Sequence, residues 1–293
     1  MRYLILLFGV YCCSTSVIFI KIGTTDPIVL SAYRLLLGGL FLSPFLLGAR
    51  KHLRAFRPRI LLRRALPPSL FLAVHFITWI MGARMTPSAN ASLIVNMVPV
   101  VMPLLLFFLL QERITPREGY GTLFALAGVV LLGLGDFNFS PEYAAGDAVC
   151  FVSMLLYAFY LIHGRKNRDL PSIYLYVVPV YLMGGVACLG IAGLLALAGR
   201  PTTWLGSTTE TEWLSILGLA LLPTVFGHSI INWALGKIRG QAVVIINLSQ
   251  FIFAGIMGFV FLREVPHLIF YLASALVVGG AVIVIRASVP DAD

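Results

Sequence analysis

Runs of about 20 apolar residues alternate along this chain with short clusters of charge, proline and glycine. Each run is long enough to cross roughly 30 Å of hydrocarbon as a helix. Ten runs are legible: 3–22, 28–47, 66–83, 88–110, 119–135, 144–163, 171–198, 213–234, 241–262 and 267–286. Their boundaries fall at turn and charge signals such as Thr24-Thr25-Asp26-Pro27, Gln111-Glu112-Arg113 with Pro116, and Gly199-Arg200-Pro201. The run 171–198 is longer than a span needs, so a tilted helix or an interfacial end is expected there. The first run has no small-residue cleavage site and is read as a retained span rather than a signal peptide.

Composition agrees with the pattern. Of 293 residues, 59% are hydrophobic and only 11% are charged, and the mean hydropathy is +0.95. Soluble domains are nearer a quarter charged, so a soluble enzyme, a disordered chain and a nucleic-acid module are excluded. The net charge of +9 resides in the loops, where it reports membrane orientation rather than a nucleic-acid partner. With the N-terminus cytoplasmic, alternate loops place sixteen Lys and Arg on that side and four on the other. Both termini are therefore expected in the cytoplasm. The basic segment 48–65 is expected to set orientation and to meet anionic lipid. Cys12, Cys13, Cys150 and Cys188 all lie inside apolar runs, so neither disulfides nor a thiolate metal site is expected.

The chain also repeats itself. Glu112 and Glu264 lie 152 residues apart, as do Gly128 and Gly280; Pro27 and Pro171, like Lys21 and Arg165, lie 144 apart. Two five-helix repeats, 1–136 and 144–293, follow. Five is odd, so the copies must cross the membrane in opposite senses. Such inverted repeats are frequent in secondary transporters, with the substrate held at their interface.

At this point the residues resemble a known family. The stretch Cys13 to Lys21, followed by Asp26-Pro27 and Arg34, is similar to the first-span motif of the drug/metabolite transporter superfamily, specifically its EamA-type ten-helix exporters. Glu112-Arg113 with Pro116 and Gly121, Tyr157-Ala158-Phe159-Tyr160, Ala242, and Glu264 to Gly280 also match. Cys13 departs from the family, which usually has an aromatic residue there. The resemblance spans nearly the whole chain and implies small-molecule transport, usually efflux across a bacterial inner membrane.

Polar residues inside spans are costly and mark candidate sites. His75 and Trp79 share one helix face, and His228 and Asn232 share one in the corresponding span of the other half. Together they are expected to line one central cavity, or else each His bonds a facing helix. Near-neutral titration of a histidine makes protons a candidate coupling partner. Ser92, Asn96, Pro99 and Pro103 form one stripe, whose prolines free backbone carbonyls. Asn247 and Gln250 stand in the counterpart span, and Tyr157 and Tyr160 in the sixth. Asn96, Asn247, Gln250 and Tyr157 are candidate substrate contacts. Arg34 lies about 10 Å into its span by helical rise. It either attracts an anionic group, or is structural, bonding backbone carbonyls at a helix break or snorkelling to an interface. Pro99, Pro103, Glu112 and Glu264 are structural or gating candidates, with the two glutamates expected to pair with Arg113, Arg263 or helix ends. No Asp or Glu lies deep in a span, which argues against an antiporter for cationic drugs. No hydrolase, zinc-protease or P-loop signature is present, and no cofactor or metal is expected.

These residues predict a secondary transporter or facilitator, with an amino acid or related amphipathic metabolite as its substrate. Nucleobases or other polar heterocycles are the alternative within transport. A membrane-embedded lipid-modifying enzyme is the alternative outside it. The expected partners are the substrate, the lipid bilayer and protons, with no nucleic acid. Oligomeric state and coupling are not legible.

Overall fold

The computed structural model describes residues 1–49, 51, 58–136, 140–205, 209–257, 259–260 and 268–288. All regular structure among them is helical, and ten helical stretches are long and apolar enough to cross a membrane. In chain order these spans are Arg2–Ile22, Pro27–Leu46, Pro58–Met85, Asn90–Leu110, Pro116–Leu134, Ala144–Lys166, Tyr174–Leu197, Glu210–Leu235, Gly240–Met257 and Leu268–Ser288. Large apolar side chains such as Leu40, Phe108, Leu134, Leu194 and Leu272 point outward. Hydrocarbon rather than water is the solvent that such a surface fits.

The third span starts eight residues before the expected 66. Pro58 fits the first helical position, where its missing N–H costs nothing. Arg59, Arg63 and Arg64 then extend the helix beyond its apolar stretch, so residues 58–65 are helix and not loop. The seventh span starts at Tyr174 rather than 171, because Pro171 and Ser172 lie in the preceding turn. The ninth is helical to Met257, and Gly258, Arg263 and Glu264 fall outside the described residues.

Four spans are interrupted. The first breaks at Thr15, between helices ending at Ser14 and starting at Ser16. In the fourth, the helix stops at Val95 and restarts at Val98. Pro99 has no N–H for the Val95 carbonyl, and its ring would clash with it. Asn96 closes the gap by donating from Nδ2 to the Ser92 carbonyl at 2.8 Å. Pro103 in turn frees the Pro99 carbonyl, which accepts from Gln241 Nε2 at 3.5 Å. The ninth span breaks at Leu248 and Ser249, between helices ending at Asn247 and starting at Gln250. The eighth is wound as a π-helix from Ala220 to His228 around Pro223, a winding frequent at functional sites.

The most extensive helix pairings are the second span with the seventh, the third with the sixth, and the fifth with the tenth; the first packs along the eighth. In the fifth–tenth pair the matched glycines serve one another's helix. A Cβ on Gly128 would strike Ala273 and Leu276, and one on Gly280 would strike Gly121 and Ala125. The backbones approach too closely there for any side chain.

Candidate functional site

The spans converge on a cavity of about 50 Å³. Both parts of the chain line it. Cys13, Ser14, Ser16, Arg34, His75, Trp79, Ser92 and Asn96 come from before residue 136; Tyr157, Pro223, His228, Gln250, Phe251 and Ala254 come from after 144. It is smaller than the several hundred Å³ usual for a small-molecule pocket.

Six of the eight expected substrate contacts meet here: His75, Trp79, Asn96, Tyr157, His228 and Gln250. His75 is fixed by Ser153 of the sixth span. Its Nδ1 lies 2.9 Å from the Ser153 carbonyl and 2.8 Å from the hydroxyl, which also donates to the His75 carbonyl at 3.1 Å. Its ring stacks on Tyr157 with centroids 4.8 Å apart. His228 meets Phe76 edge to face at 5.0 Å and Tyr157 at 5.4 Å. The two histidine rings are 6.3 Å apart, and His228 Nδ1 has no partner among the described residues. Trp79 donates from Nε1 to Ser16 at 3.2 Å.

Two of the expected contacts, Asn232 and Asn247, lie away from this cavity. Asn232 does not line this cavity. It donates to the Tyr160 hydroxyl at 2.6 Å and to the His228 carbonyl at 2.7 Å, and it borders a separate recess of about 360 Å³ with Trp233 and Lys237. An i, i+4 pair shares a face but is displaced about 6 Å along the axis, and that displacement carries Asn232 below the site. Asn247 stands behind Gln250, accepting its Nε2 at 2.8 Å, and meets the Tyr157 hydroxyl. It orients lining residues without lining the cavity itself.

Arg34 neither snorkels nor bonds a backbone carbonyl through Nε. It is 0% exposed. Its Nε donates to the Thr224 hydroxyl at 3.1 Å rather than to a carbonyl, and its guanidinium carbon lies 3.6 Å above the Phe76 ring.

Between the cavity and the Arg165 face of the molecule, ion pairs join residues before 136 to residues after 144. Glu112 pairs with Arg165 through both oxygens, at 3.0 and 3.2 Å, and not with Arg113. Arg165 Nη1 also donates to the carbonyls of Leu235 and Ile238, at 2.6 and 2.8 Å. Glu118, wholly buried, receives Arg239 Nε at 2.5 Å and Nη2 at 2.9 Å. These hydrogen bonds hold Arg239 above the usual arginine pKa. Glu118 was not singled out from sequence, although Thr115-Pro116-Arg117-Glu118 is a capping box. The Thr115 N–H donates to Glu118 at 2.7 Å, and the Glu118 N–H donates to the Thr115 hydroxyl at 3.2 Å. On the opposite face Glu212 accepts from the N–H and hydroxyl of both Thr24 and Thr25, at 2.5–3.0 Å. Ser14, Ser16 and Pro223 also line the cavity without having been named as contacts, although Ser14 and Ser16 lie in the first-span stretch Cys13 to Lys21 and Pro223 is a proline in mid-span.

A bundle of ten spans around a small polar site is the architecture of a membrane carrier. The EamA-like transporter family model matches residues 1–134 and again 144–286, so the chain belongs to that family and is a multi-pass membrane transporter of small molecules, not an enzyme. It is 29% identical to the aromatic amino acid exporter YddG of Ancylobacter novellus over 71% of this chain and 70% of that protein. It is 26% identical to an uncharacterized transporter of Archaeoglobus fulgidus over 90% of each. A solved crystal structure superposes with a TM-score of 0.77 at 21% identity, covering 99% of this chain and 98% of its own, and so shares the fold.

Proposed function

We propose that this protein exports an amino acid or a similar amphipathic metabolite across the inner membrane. Transport proceeds by alternating access between two inverted repeats, 1–136 and 144–293. The observation that carries this reading is the cavity itself. It mixes imidazole, amide, hydroxyl and aromatic groups from both halves, a set that can hydrogen-bond polar groups and stack on an apolar side chain. Rocking of one half against the other enlarges the site and exposes it to each side in turn. The name of the Ancylobacter relative supports an amino acid as cargo.

Several hydrogen bonds and packings support the repeat. Lys21 Nζ donates to the Thr86 carbonyl at 3.4 Å, and Arg165 donates to the Ile238 carbonyl at 2.8 Å. These pairs differ by the same 144 and 152 residues read from sequence. The helix breaks at Asn96-Met97 and Leu248-Ser249 also lie 152 apart. The third–sixth and first–eighth packings exchange under the same correspondence.

The test is counterflow of labelled phenylalanine, tryptophan, uracil and adenine by purified protein in liposomes. Amino-acid counterflow is the expected result, and counterflow of the nucleobases alone overturns the assignment of cargo. A second prediction concerns orientation. In a cysteine-free background, Lys51→Cys should react with an impermeant thiol reagent only from the cytoplasm, and Arg200→Cys only from outside. The reversed pattern would contradict the positive-inside reading.

A further inference from the structure

We infer that Arg34 is the anion-recognising group of the cavity and that it holds a carboxylate of the transported molecule. This inference rests on the central cavity being the transport site, and it deepens that reading by assigning the charge of the cargo.

The guanidinium is held on one edge and one face, leaving its other edge free. Thr224 spends its proton on the Leu219 carbonyl at 2.8 Å. The hydroxyl therefore presents a lone pair to Arg34 Nε at 3.1 Å. Phe76 supports the face of the plane at 3.6 Å, a stacking that arginine favours. The two remaining nitrogens, Nη1 and Nη2, are buried and have no hydrogen-bond partner among the described residues. Arg34 lines the cavity and makes no salt bridge among the described residues.

The other buried arginine among the described residues, Arg165, is treated differently. It has Glu112 and two carbonyls. An arginine kept only for packing would be matched in the same way, because an unpaired buried cation is strongly destabilising. Two unpartnered NH2 groups on a pre-oriented plane instead match the geometry of a carboxylate, which they bind through two parallel charge-assisted bonds. The neighbours fit the rest of such a ligand. Trp79, Tyr157 and Phe251 line the same cavity and offer aromatic surface, and the lining contains no Asp or Glu to repel an anion. The ligand class is thus a carboxylate with an apolar body. Neutral nucleobases and amines lack the group that Arg34 would bind.

The test compares ligands that differ only in that group. Phenylacetate and phenylacetamide are titrated against purified protein, read by Trp79 fluorescence with Trp79→Phe as the signal control. Phenylacetate should bind roughly 10- to 150-fold tighter, the range for a hydrogen bond to a charged group. Arg34→Gln should abolish that preference, and Arg34→Lys, with charge but no fork, should keep part of it. Equal binding of the two ligands by wild type, a measurement that needs no variant to fold, overturns the inference. So does a preference that survives Arg34→Gln. Inorganic phosphate competing as well as phenylacetate would overturn the carboxylate assignment. The two readings fail separately. A carboxylate preference without amino-acid counterflow sinks the export proposal and leaves Arg34 standing. Amino-acid counterflow without a carboxylate preference does the reverse.

Discussion

Arg165→Ala is expected to destabilise the folded protein by about 3–5 kcal/mol, the usual cost of removing one member of a buried ion pair. Arg165 is mostly buried, and its pair with Glu112 is bidentate. The same guanidinium satisfies the Leu235 and Ile238 carbonyls where the eighth span ends. Alanine strands both carbonyls and leaves Glu112 only Arg168, at 4.0 Å. Glu112→Gln keeps the shape and one acceptor while removing the charge, so it should cost less. Reversible unfolding in a detergent titration measures both. A loss below about 1 kcal/mol for Arg165→Ala would equate this pair with an exposed surface bridge. It would then be no fastening between the two halves of the chain.

The second large effect is expected at His75. His75→Ala should slow transport roughly 5- to 150-fold, the range for deleting a buried polar group and leaving its partner unsatisfied. The fold should persist, because Ser153 retains the His75 backbone carbonyl as its acceptor. What disappears is the ring stacked on Tyr157 at 4.8 Å and the group that faces His228. His75→Gln, able to keep a bond to Ser153, should recover part of the rate. Initial counterflow rates at equal amounts of monodisperse protein decide it. A wild-type rate in His75→Ala would remove His75 from the site.

The sequence was most legible where one physical constraint acts alone. Hydrocarbon thickness sets the length of each span, so all ten emerged from apolar runs. The start of the third moved because helix geometry continues through Arg59, Arg63 and Arg64 after the apolar pattern ends. The break before Pro99 followed from a missing N–H and was visible in the proline. The matching break at Leu248-Ser249 has no proline and gave no such signal. Site residues were legible by face but not by depth. His75 and Trp79 fell in the cavity, whereas Asn232, one turn beyond His228, fell below it. The polar partners were least legible, because they come from far along the chain. Thr224 is 190 residues from Arg34 and Arg239 is 121 from Glu118, so no local pattern could join them. Glu112 was assigned to its neighbour Arg113 for the same reason, while its partner proved to be Arg165.

On the proposed function, cargo passes through the cavity between the two halves, and filling that cavity should block it. Ala254 lines it beside Gln250 and Phe251, and Ala254→Trp introduces a ring larger than the space available. Counterflow of labelled phenylalanine in liposomes should be robust for wild type and close to background for Ala254→Trp, with both proteins monodisperse and equally incorporated. Wild-type counterflow by Ala254→Trp would show that the cargo takes another path.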